Sequence, residues 1–411
     1  MSAEGLDEER RPSVCLRVRS SVLMSPSTDG YLAYDVETQA VHHLNPIAAL
    51  VLELCDGTRD LTGLRGVLLP VVGERSWAAC DAWIHEALES GLLASDPEST
   101  TDLPAMSASA LTNMATTLRD NRQVLPAFIC QQHATNLEPD DPEMWYRLGE
   151  LAHLARRRDD ARAAYARYFT AHPEDAAVEY LLHALTGTIP ARAPDRYIEQ
   201  VFTRFAPSYD EWMMDALEYR GPALLVDAVA AAVGNGRQLA ILDLGCGTGL
   251  MGCVLRPLAR RLDGVDLAAP MIERARDRGI YDALHHAEIT RFLASAAPDA
   301  FDVIAACDSL VYFGDLRQVV TLAAARLAPG GVLAFTVERG ETPSFQITDS
   351  GRFVHHRDYL VHVIGEAGLE VVNLTDAVLR LEYGEAVWGL VTTARRSGML
   401  TSALHEGHAY T

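Results

Sequence analysis

The chain has 411 residues, of which 49% are hydrophobic, and it carries a formal net charge of −21 at pH 7. A chain of this length is expected to form two or three domains with substantial cores. The acidic balance argues against a nucleic-acid partner, because affinity for a phosphate backbone depends largely on basic side chains that displace counterions. With no uninterrupted apolar run of about 18 residues and no apolar N-terminal segment, we expect no membrane span, no secretion signal and a cytoplasmic protein.

The seven cysteines show no paired spacing of the kind that a zinc site or a disulfide framework needs. We expect them to be small buried hydrophobes in a reducing compartment. Pairs of adjacent histidines occur at 42–43, 285–286 and 355–356, but adjacent side chains diverge on a helix or a strand. We therefore predict no metal.

Along the first hundred residues, apolar and polar residues first alternate as in short strands and then recur with the period of a helix. Three strands followed by three helices predict a winged helix-turn-helix. The predicted strands are 21–25, 31–36 and 40–44, and the predicted helices are 47–54, 61–72 and 76–90.

Four phrases in this segment resemble the PqqD-like family: Gly30–Asp35, His43–Ala49, Cys55–Thr58 and Glu86–Leu93. The resemblance covers residues 12–95. It implies a recognition element of ribosomal natural-product pathways, in which the leader of a precursor peptide adds as an extra strand beside the wing and packs on the last helix. The apolar pockets would come from four residues, Trp77, Trp83, Ile84 and Leu88.

A winged helix also suits DNA. Residues 76–118 contain no Arg or Lys, and the last predicted helix carries Asp81, Glu86 and Glu89. In a major groove these carboxylates would face phosphates, so the sequence favours a peptide over DNA. A packing module without a ligand stays open.

Turn-forming residues cluster at 96–102 and 186–194 and predict two linkers. The segment between them, 104–188, resembles tetratricopeptide repeats, whose period is about 34 residues. One copy is carried by Trp145, Leu148, Gly149, Ala161, Tyr165 and Pro173, and a weaker one by Leu111, Met114, Ala115, Ala127 and Pro139. We expect a third helix over 176–185 to cap the stack, and the array to space the flanking domains rather than bind a peptide.

The most informative stretch is Ile241–Leu250, where an apolar strand breaks into a loop with Gly245, Gly247 and Gly249. Asp266 ends the next predicted strand. In a right-handed βαβ unit its carboxylate reaches the crevice where a ribose would sit. The glycine spacing differs from that of dinucleotide-binding loops. The sequence predicts an α/β Rossmann-like domain that binds a nucleoside cofactor.

This loop resembles motif I of the class I S-adenosylmethionine-dependent methyltransferases, and the resemblance covers residues 195–397. The downstream order agrees: a helix begins at Pro270, a short segment spans Tyr281–Ile289, and strands follow at Phe301–Asp308 and Leu327–Glu338. Four phrases also resemble predicted methyltransferases that carry tetratricopeptide repeats: Tyr312–Leu316, Phe335–Glu338, Gly351–Phe353 and Leu379–Glu382. The implied cofactor is S-adenosylmethionine.

The resemblance implies a role for each position that matches the family. Asp243 and Gly245 would hold the methionine amino group, and Asp308 would face the sulfonium. Gly247 and Gly249 complete the loop. Asp266 beside Leu267 would bind the ribose, Glu288 with Ile289 the adenine, and Tyr209 in the segment Phe205–Asp210 would cover the cofactor.

Methyl transfer from a sulfonium is an in-line displacement, so alignment of the reactants supplies much of the rate. A carboxylate acceptor needs no base, whereas an amine must be neutral. We predict Asp308, Tyr312 and His355 as catalytic candidates, with Glu338 and His356 beside them. Arg352 would clamp an acceptor carboxylate, with Arg357 and Arg380 as alternatives. Each of these residues also has a plain structural interpretation.

Together the three segments predict a leader-guided peptide methyltransferase, in which the bound leader concentrates a core residue at the catalytic pocket. The alternative is a methyltransferase of a free small molecule whose N-terminal module recruits a partner protein. A non-catalytic scaffold is a third class. The sequence leaves the acceptor atom, the precursor and the oligomeric state open.

Overall fold

The computed structural model describes residues 14–27, 30–95, 106–187, 190–234, 238–382 and 384–397. Contacts divide the chain into two compact units, with the boundary between Tyr168 and Phe169. The first predicted linker, 96–102, lies outside the described residues, and so do residues 188 and 189 of the second. None of the described helices is long and apolar enough to cross a bilayer.

The first unit begins with two small antiparallel sheets and three helices. The predicted strands and helices between residues 21 and 90 are present, with boundaries that agree to within two residues. One sheet has the order β5-β1-β6 and the other β2-β3-β4. The elements are β1 (Leu16–Val18), β2 (Val22–Ser27), β3 (Gly30–Asp35), β4 (Ala40–Leu44), α1 (Pro46–Leu54), β5 (Asp56–Arg59), α2 (Leu61–Val72), α3 (Glu74–Glu89) and β6 (Leu93–Ala94).

Local capping explains where the first helices begin. Asn45 accepts a hydrogen bond from Ala48 N at 2.8 Å, and Pro46 at the first helical position has no N–H to satisfy. Asp60 caps α2 in the same way through Gly63 N at 2.7 Å. The core that these helices share with β1, β3 and β4 fixes their packing.

Two helical hairpins complete the first unit. In the second hairpin a Cβ at Gly149 would lie 2.6 Å from the Tyr165 ring, so only glycine permits this approach of the two helices. The helices are α4 (Ala108–Asp120), α5 (Val124–Leu137), α6 (Pro142–Leu154) and α7 (Arg158–Ala171), the last of which crosses the boundary.

Helix α8 (Ala176–Thr186) lies on the far side of that boundary, in the second unit. It packs against α9 (Asp195–Phe205) through a cluster that includes Ala177, Tyr180 and Tyr197. The sequence predicts that this helix caps the repeat array. Part of its apolar face, Ala177 and Tyr180, packs against residues of the second unit.

The second unit is built on a mostly parallel sheet. Its order is β9-β8-β7-β10-β11, after which β15 adds antiparallel to β11 and β14 adds antiparallel to β15. The short strands β12 and β13 extend from the end of β11. The strands are β7 (Leu239–Leu244), β8 (Ala259–Asp266), β9 (Ala283–His286), β10 (Phe301–Ala306), β11 (Leu327–Arg339), β12 (Phe345–Ile347), β13 (Phe353–His355), β14 (Leu369–Glu382) and β15 (Glu385–Arg396).

Helices cover both faces of this sheet. Successive residues of a strand point to opposite faces, and accordingly Ile241 belongs to one core and Leu242 to another. The remaining helices are α10 (Tyr209–Glu211), α11 (Gly221–Val233), α12 (Leu250–Leu255), α13 (Ala269–Asp277), α14 (Ile289–Ser295), α15 (Arg317–Arg326) and α16 (Arg357–Glu366). The carboxyl ends of β7, β8 and β10 therefore meet at one edge, where ligands of such sheets bind.

Candidate active site

The loop after β7 turns sharply because Gly245 adopts a φ of +70°. A Cβ at this position would lie 2.4 Å from the Cβ of Ser309, so both the backbone angle and the space require glycine. Its N–H donates to Val265 O at 2.8 Å, which fastens the loop to β8. The backbone of the loop thus lies open beside the strand ends.

A cavity lies at these strand ends, where open α/β sheets bind their ligands. Its walls come from the glycine loop, the ends of β8 and β10, the segment after β9, and helix α9 with the residues around it. The lining residues are Arg192, Ala193, Ile198, Phe202, Tyr209, Gly245, Gly247, Asp266, Leu267, Met271, Glu288, Ile289, Cys307, Asp308, Ser309, Tyr312 and Phe313.

Asp266 is held rigidly at the cavity wall. Its two carboxylate oxygens accept hydrogen bonds from Gly247 N at 2.9 Å and from Ala268 N at 2.8 Å. Each oxygen retains a further lone pair for a ligand hydroxyl. Burial raises the pKa of Asp266 although these backbone bonds oppose the shift. Leu267 lies beside it in the lining, so the sequence prediction for both residues is geometrically consistent.

Asp243 lies behind the loop rather than in the lining. It is fully buried, and its Oδ2 accepts a hydrogen bond from the Tyr281 hydroxyl at 2.7 Å. Its Oδ1 has no partner among the described residues. Burial raises the pKa of Asp243 to about 7. Gly249 also lies outside the lining, where its φ of +97° starts α12.

Glu288 has a structural role that the sequence analysis did not foresee. Its carboxylate caps α14 by accepting from Thr290 N and Arg291 N, each at 2.9 Å. It also lines the cavity next to Ile289, as the adenine assignment requires. The cap therefore fixes the carboxylate at the cavity wall.

The aromatic segment before α10 lies over the cavity. Tyr209 is a lining residue, and its ring meets Phe202 edge-on at 6.3 Å between centroids. The neighbouring Asp210 accepts a hydrogen bond from Thr248 Oγ1 at 2.5 Å and another from Arg278. The segment is thus fastened to the glycine loop itself.

Asp308 follows β10 and has a left-handed backbone, with φ of +57°. Such a conformation is uncommon outside glycine and is frequent at functional sites. Its Oδ2 accepts from Arg380 at 2.8 Å, while its buried Oδ1 has no partner in the described chain. Burial raises the pKa of Asp308, with Arg380 opposing. Tyr312 also lines the cavity and packs edge-on against Phe202 at 5.6 Å.

The structure places two of the catalytic candidates outside the cavity lining. His355 is fully buried outside the cavity, with Nε2 3.0 Å from Gly314 O and its ring stacked on Tyr359. Burial lowers its pKa to about 4, so it is a neutral core histidine. Arg352 is not a lining residue, and its guanidinium donates to Glu338 at 2.6 Å and to Glu382 at 2.8 Å. Internal carboxylates therefore accept the guanidinium hydrogen bonds that the sequence prediction assigned to the carboxylate of a methyl acceptor.

The alternative clamp residues are occupied as well. Arg357 donates to Leu374 O and to Asp376, and Arg380 is bound to Asp308. His356 caps α16 by accepting from Asp358 N. None of these three belongs to the cavity lining.

Sequence reasoning missed part of the site. Arg192 and Ala193 line the cavity although they fall in a predicted linker. Arg192 pairs with Asp195 at 2.7 Å and lies over the Phe313 ring. No motif marks these residues. The pairing of Arg192 with Phe313 in a β-bridge and a hydrogen bond from Ala193 N to Tyr312 O at 2.8 Å bring them to the site. In the described ranges, no group of three or more His, Cys, Asp or Glu side chains is arranged to hold a metal ion.

The fold and the site define the class of protein. A parallel sheet whose strand order reverses between β7 and β10, a glycine loop and a carboxylate on the next strand form a Rossmann-like nucleoside site. The buried Oδ1 of Asp243 has no partner among the described residues, which suits a cofactor with a cationic tail. The side chains present thus fit a nucleoside that carries a positively charged amino-acid group.

Comparisons with known proteins agree with this class. The family described as "Methyltransferase domain" matches residues 242–333. Malonyl-[acyl-carrier protein] O-methyltransferase of Salmonella typhimurium is 37% identical over 181 residues, which cover 42% of this chain and 69% of that protein. The protein of the same name from Pseudescherichia vulneris is 30% identical over 227 residues, which cover 52% and 86%. The chain belongs to the S-adenosylmethionine-dependent methyltransferases.

Among solved structures, the chain is similar to 1,6-didemethyltoxoflavin-N1-methyltransferase of Burkholderia thailandensis with bound 1,6-didemethyltoxoflavin and S-adenosylhomocysteine. The identity is 19%, the match covers 51% of this chain and 92% of that one, and the TM-score is 0.40.

The protein is an S-adenosylmethionine-dependent methyltransferase, and S-adenosylmethionine is its cofactor. When bound, the cofactor supplies an electrophilic methyl group on a sulfonium. Asp266, Glu288 and the backbone of Gly245 are the groups that would hold it, and Tyr209 would exclude water from the cavity. Binding and orientation of the reactants by these groups would meet the main demand of an in-line displacement.

Proposed function

We propose that this methyltransferase modifies a ribosomally synthesised peptide whose leader is bound by the first unit. The observation that carries the proposal is the free edge of the sheet β2-β3-β4. Strand β4 pairs with β3 from Ala40 to Leu44 and is the last strand on that side in the described chain. Such an edge presents unpaired backbone groups to an extended peptide.

The opposite edge of the same sheet is already covered. The carbonyl of Met24 in β2 accepts from His133 Nε2 at 2.8 Å, and the carbonyl of Pro26 accepts from Arg157 at 2.5 Å. Helix α5 also packs on this strand through Ala134 against Leu23. A peptide that adds to this sheet is therefore directed to β4.

The side-chain pockets differ from those that the sequence suggests. Trp77 and Ile84 are buried in the core of the first unit and are not available to a peptide. Trp83 and Leu88 are only partly buried, so these two remain as the apolar contacts on α3. Backbone pairing along β4 would then supply most of the affinity.

A tethered leader raises the local concentration of the core residue at the cavity to about the millimolar range, which compensates for weak binding of that residue itself. The proposal includes a cytoplasmic location and no nucleic-acid or membrane partner. The acidic composition supports the lack of a nucleic-acid partner.

A second candidate is methylation of a small acceptor that is free or carried by another protein. The cavity at the strand ends suits it, and the two relatives above are named for a malonyl group on a carrier protein. In this case the first unit would recruit a protein rather than a leader.

The test uses the precursor peptide encoded beside the gene, with and without its leader, and mass spectrometry of the product. Under the proposal the full precursor gains a methyl group, and removal of the leader lowers kcat/KM by about 100-fold or more. Equal rates with and without the leader would contradict the proposal and favour the small-acceptor alternative.

Proline variants of β4 test the edge itself. Adjacent residues of a strand direct their N–H groups to opposite sides. Of the two variants His42→Pro and His43→Pro, one therefore keeps the backbone hydrogen bonds between β4 and β3. The variant that keeps the parental Tm is the informative one. We expect it to lose leader-dependent methylation while its affinity for S-adenosylmethionine is unchanged, as measured by calorimetry.

A further inference from the structure

Behind Asp308 lies a buried network of ion pairs that the cofactor site does not require. Arg380, only 3% exposed, donates to Asp308 at 2.8 Å, to Glu382 at 2.9 Å and to Glu338. Arg352 donates to Glu338 at 2.6 Å and to Glu382 at 2.8 Å. The network brings three carboxylates against two guanidiniums.

This network is negatively charged as a whole, and it meets the cavity at Asp308. One oxygen of that carboxylate is bound to Arg380, and the other is buried without a partner among the described residues. A buried carboxylate oxygen that lacks a donor costs free energy until a ligand supplies one. The cavity therefore offers a hydrogen-bond acceptor with a negative charge.

The same geometry disfavours an anionic ligand group beside Asp308. Arg352 and Arg380 are already paired with internal carboxylates. Arg192, the one cationic side chain in the described lining, pairs with Asp195. A carboxylate placed next to Asp308 would meet a like charge and find no free guanidinium.

The backbone conformation of Asp308 shows that the surrounding structure imposes the orientation of its carboxylate. The residue has a φ of +57°, and its N–H donates to Thr336 Oγ1 at 2.9 Å. The left-handed conformation costs free energy in a residue other than glycine, although less in Asn and Asp. Thr336 and Arg380 together hold the carboxylate in place against that cost.

We propose that Asp308 receives the proton of the methyl acceptor, so that the acceptor is an amine or a hydroxyl and not a carboxylate. In the step, the N–H or O–H proton passes to Oδ1 of Asp308 and the nitrogen or oxygen lone pair bonds to the methyl carbon. The carbon–sulfur bond breaks, and its electron pair stays on sulfur, which becomes a neutral thioether.

The raised pKa of Asp308 supports this role, because a stronger base takes a proton more readily near neutral pH. The inference rests on the proposed methyl transfer at this site, but it holds whether the acceptor is a peptide or a free molecule.

A binding experiment tests the charge preference without turnover. The full chain is loaded with S-adenosylhomocysteine and titrated with 2-phenylethylamine and with 3-phenylpropanoate, which share a ring and differ in charge. We expect the amine to bind about ten-fold more tightly or better, as a buried charged hydrogen bond would give. Equal affinity, a preference for the carboxylate, or no binding of the amine would overturn the proposal.

Variants locate the preference. Asp308→Asn keeps the shape and tolerates the left-handed backbone, and it should abolish the preference for the amine. It should also lower kcat by about 100-fold or more while the Kd for S-adenosylmethionine changes little. The control is Asp227→Asn on the exposed side of α11, which should behave as the parent. A parental kcat in Asp308→Asn contradicts the proposal.

The chemistry of the product gives an independent result. Methyl esters are cleaved by mild base, whereas methylamines and methyl ethers survive it. A base-labile methyl group on the natural acceptor would overturn this inference and leave the leader-guided function standing. Transfer of a base-stable methyl group that does not depend on the leader would overturn the leader-guided function and leave this inference standing.

Discussion

Asp243 and Asp266 end adjacent strands at the same edge of the sheet, but they differ in solvation. Asp266 accepts two backbone N–H bonds and reaches the cavity, whereas Asp243 is buried with one tyrosine donor. Burial, together with the charge of Asp266, accordingly raises the pKa of Asp243 to about 7. The two carboxylates therefore respond differently to pH and to substitution.

The raised pKa of Asp243 predicts a pH-dependent stability. Between its ordinary pKa of 3.8 and about 7, the folded chain binds more protons at this group than the unfolded chain does. Its contribution to the free energy of unfolding therefore falls as the pH rises through that window. We expect Asp243→Asn to flatten the decline between about pH 5 and pH 7, measured by urea unfolding. An unchanged slope would show that Asp243 titrates elsewhere.

Substitution of Asp266 tests the ribose assignment. We expect Asp266→Ala to weaken S-adenosylmethionine binding by about ten-fold or more, since a hydrogen bond to a charged group contributes about 1.5–3 kcal/mol. Calorimetry gives the Kd directly. Asp277→Ala, exposed at the end of α13, is the matched control and should bind like the parent. Parental affinity in Asp266→Ala would remove Asp266 from the cofactor site.

Two glycine variants separate the effect of steric and backbone strain from the effect of helix propensity. Gly245→Ala places a Cβ 2.4 Å from that of Ser309 at a φ of +70°, so we expect a lower Tm and loss of cofactor binding. Gly365→Ala lies in α16 with nothing within 4 Å of the new Cβ. Alanine favours a helix by up to about 1 kcal/mol over glycine, so this variant should have an unchanged or slightly higher Tm. The same scanning calorimetry measures both, and a stable, binding-competent Gly245→Ala would contradict the loop geometry.

At the scale of elements, α9 depends on α8. Asp175, at the start of α8, accepts from Ala177 N at 3.0 Å, from Gln200 of α9 at 3.0 Å and from Arg204 of α9 at 3.0 Å. Since α9 carries Phe202 on the cavity wall, a cap of one helix helps to position the wall of the site.

We expect Asp175→Ala to destabilise α8 by about 1–2 kcal/mol as a lost cap, and to loosen α9 with it. Hydrogen exchange should rise in both helices, and the affinity for S-adenosylmethionine should fall. Glu179→Ala on the exposed side of α8 serves as the control. Faster exchange in α8 alone would show that α9 is held by other contacts.

Local patterns predicted the elements well where the signal is local. The caps at Asn45 and Asp60, and the strand with its glycine loop, are encoded within a few residues, and the structure places these elements where expected. The strands β1, β5 and β6 were missed because each is two to four residues long and exists only through pairing with distant residues. Arg192 was missed for the same reason.

The two catalytic candidates outside the cavity lining share one physical feature. His355 and Arg352 are polar residues, and sequence alone does not reveal their internal partners. The imidazole of His355 is hydrogen-bonded to Gly314 O, and the guanidinium of Arg352 donates to Glu338 and Glu382. Asp308 and Tyr312 lie at the cavity, and their catalytic roles stay predictions.

For the molecule as a whole, the cysteines report on the packing of both units. Cys15 and Cys253 are exposed and the other five are buried, and all seven are free thiols. Burial raises the pKa of Cys55 and of Cys130 to about 12, which suppresses the reactive thiolate.

A thiol titration follows from this distribution. With an aromatic disulfide reagent near neutral pH, we expect two thiols of the native chain to react quickly and the remaining five only after unfolding. Cys15→Ser and Cys253→Ser should each remove one fast equivalent. A third fast thiol would show that one of the cores opens, and mass mapping would identify which unit contains it.

The left-handed backbone at Asp308 also limits how this position can diverge over evolution. Most side chains are strained there, and asparagine is among the few residues that tolerate the angle. Asparagine is one nucleotide change from aspartate and has no basic carboxylate. We expect that this single-nucleotide change gives a protein that still binds S-adenosylmethionine but does not transfer its methyl group. Descendants of this enzyme that have lost catalysis should therefore arise at this codon before others.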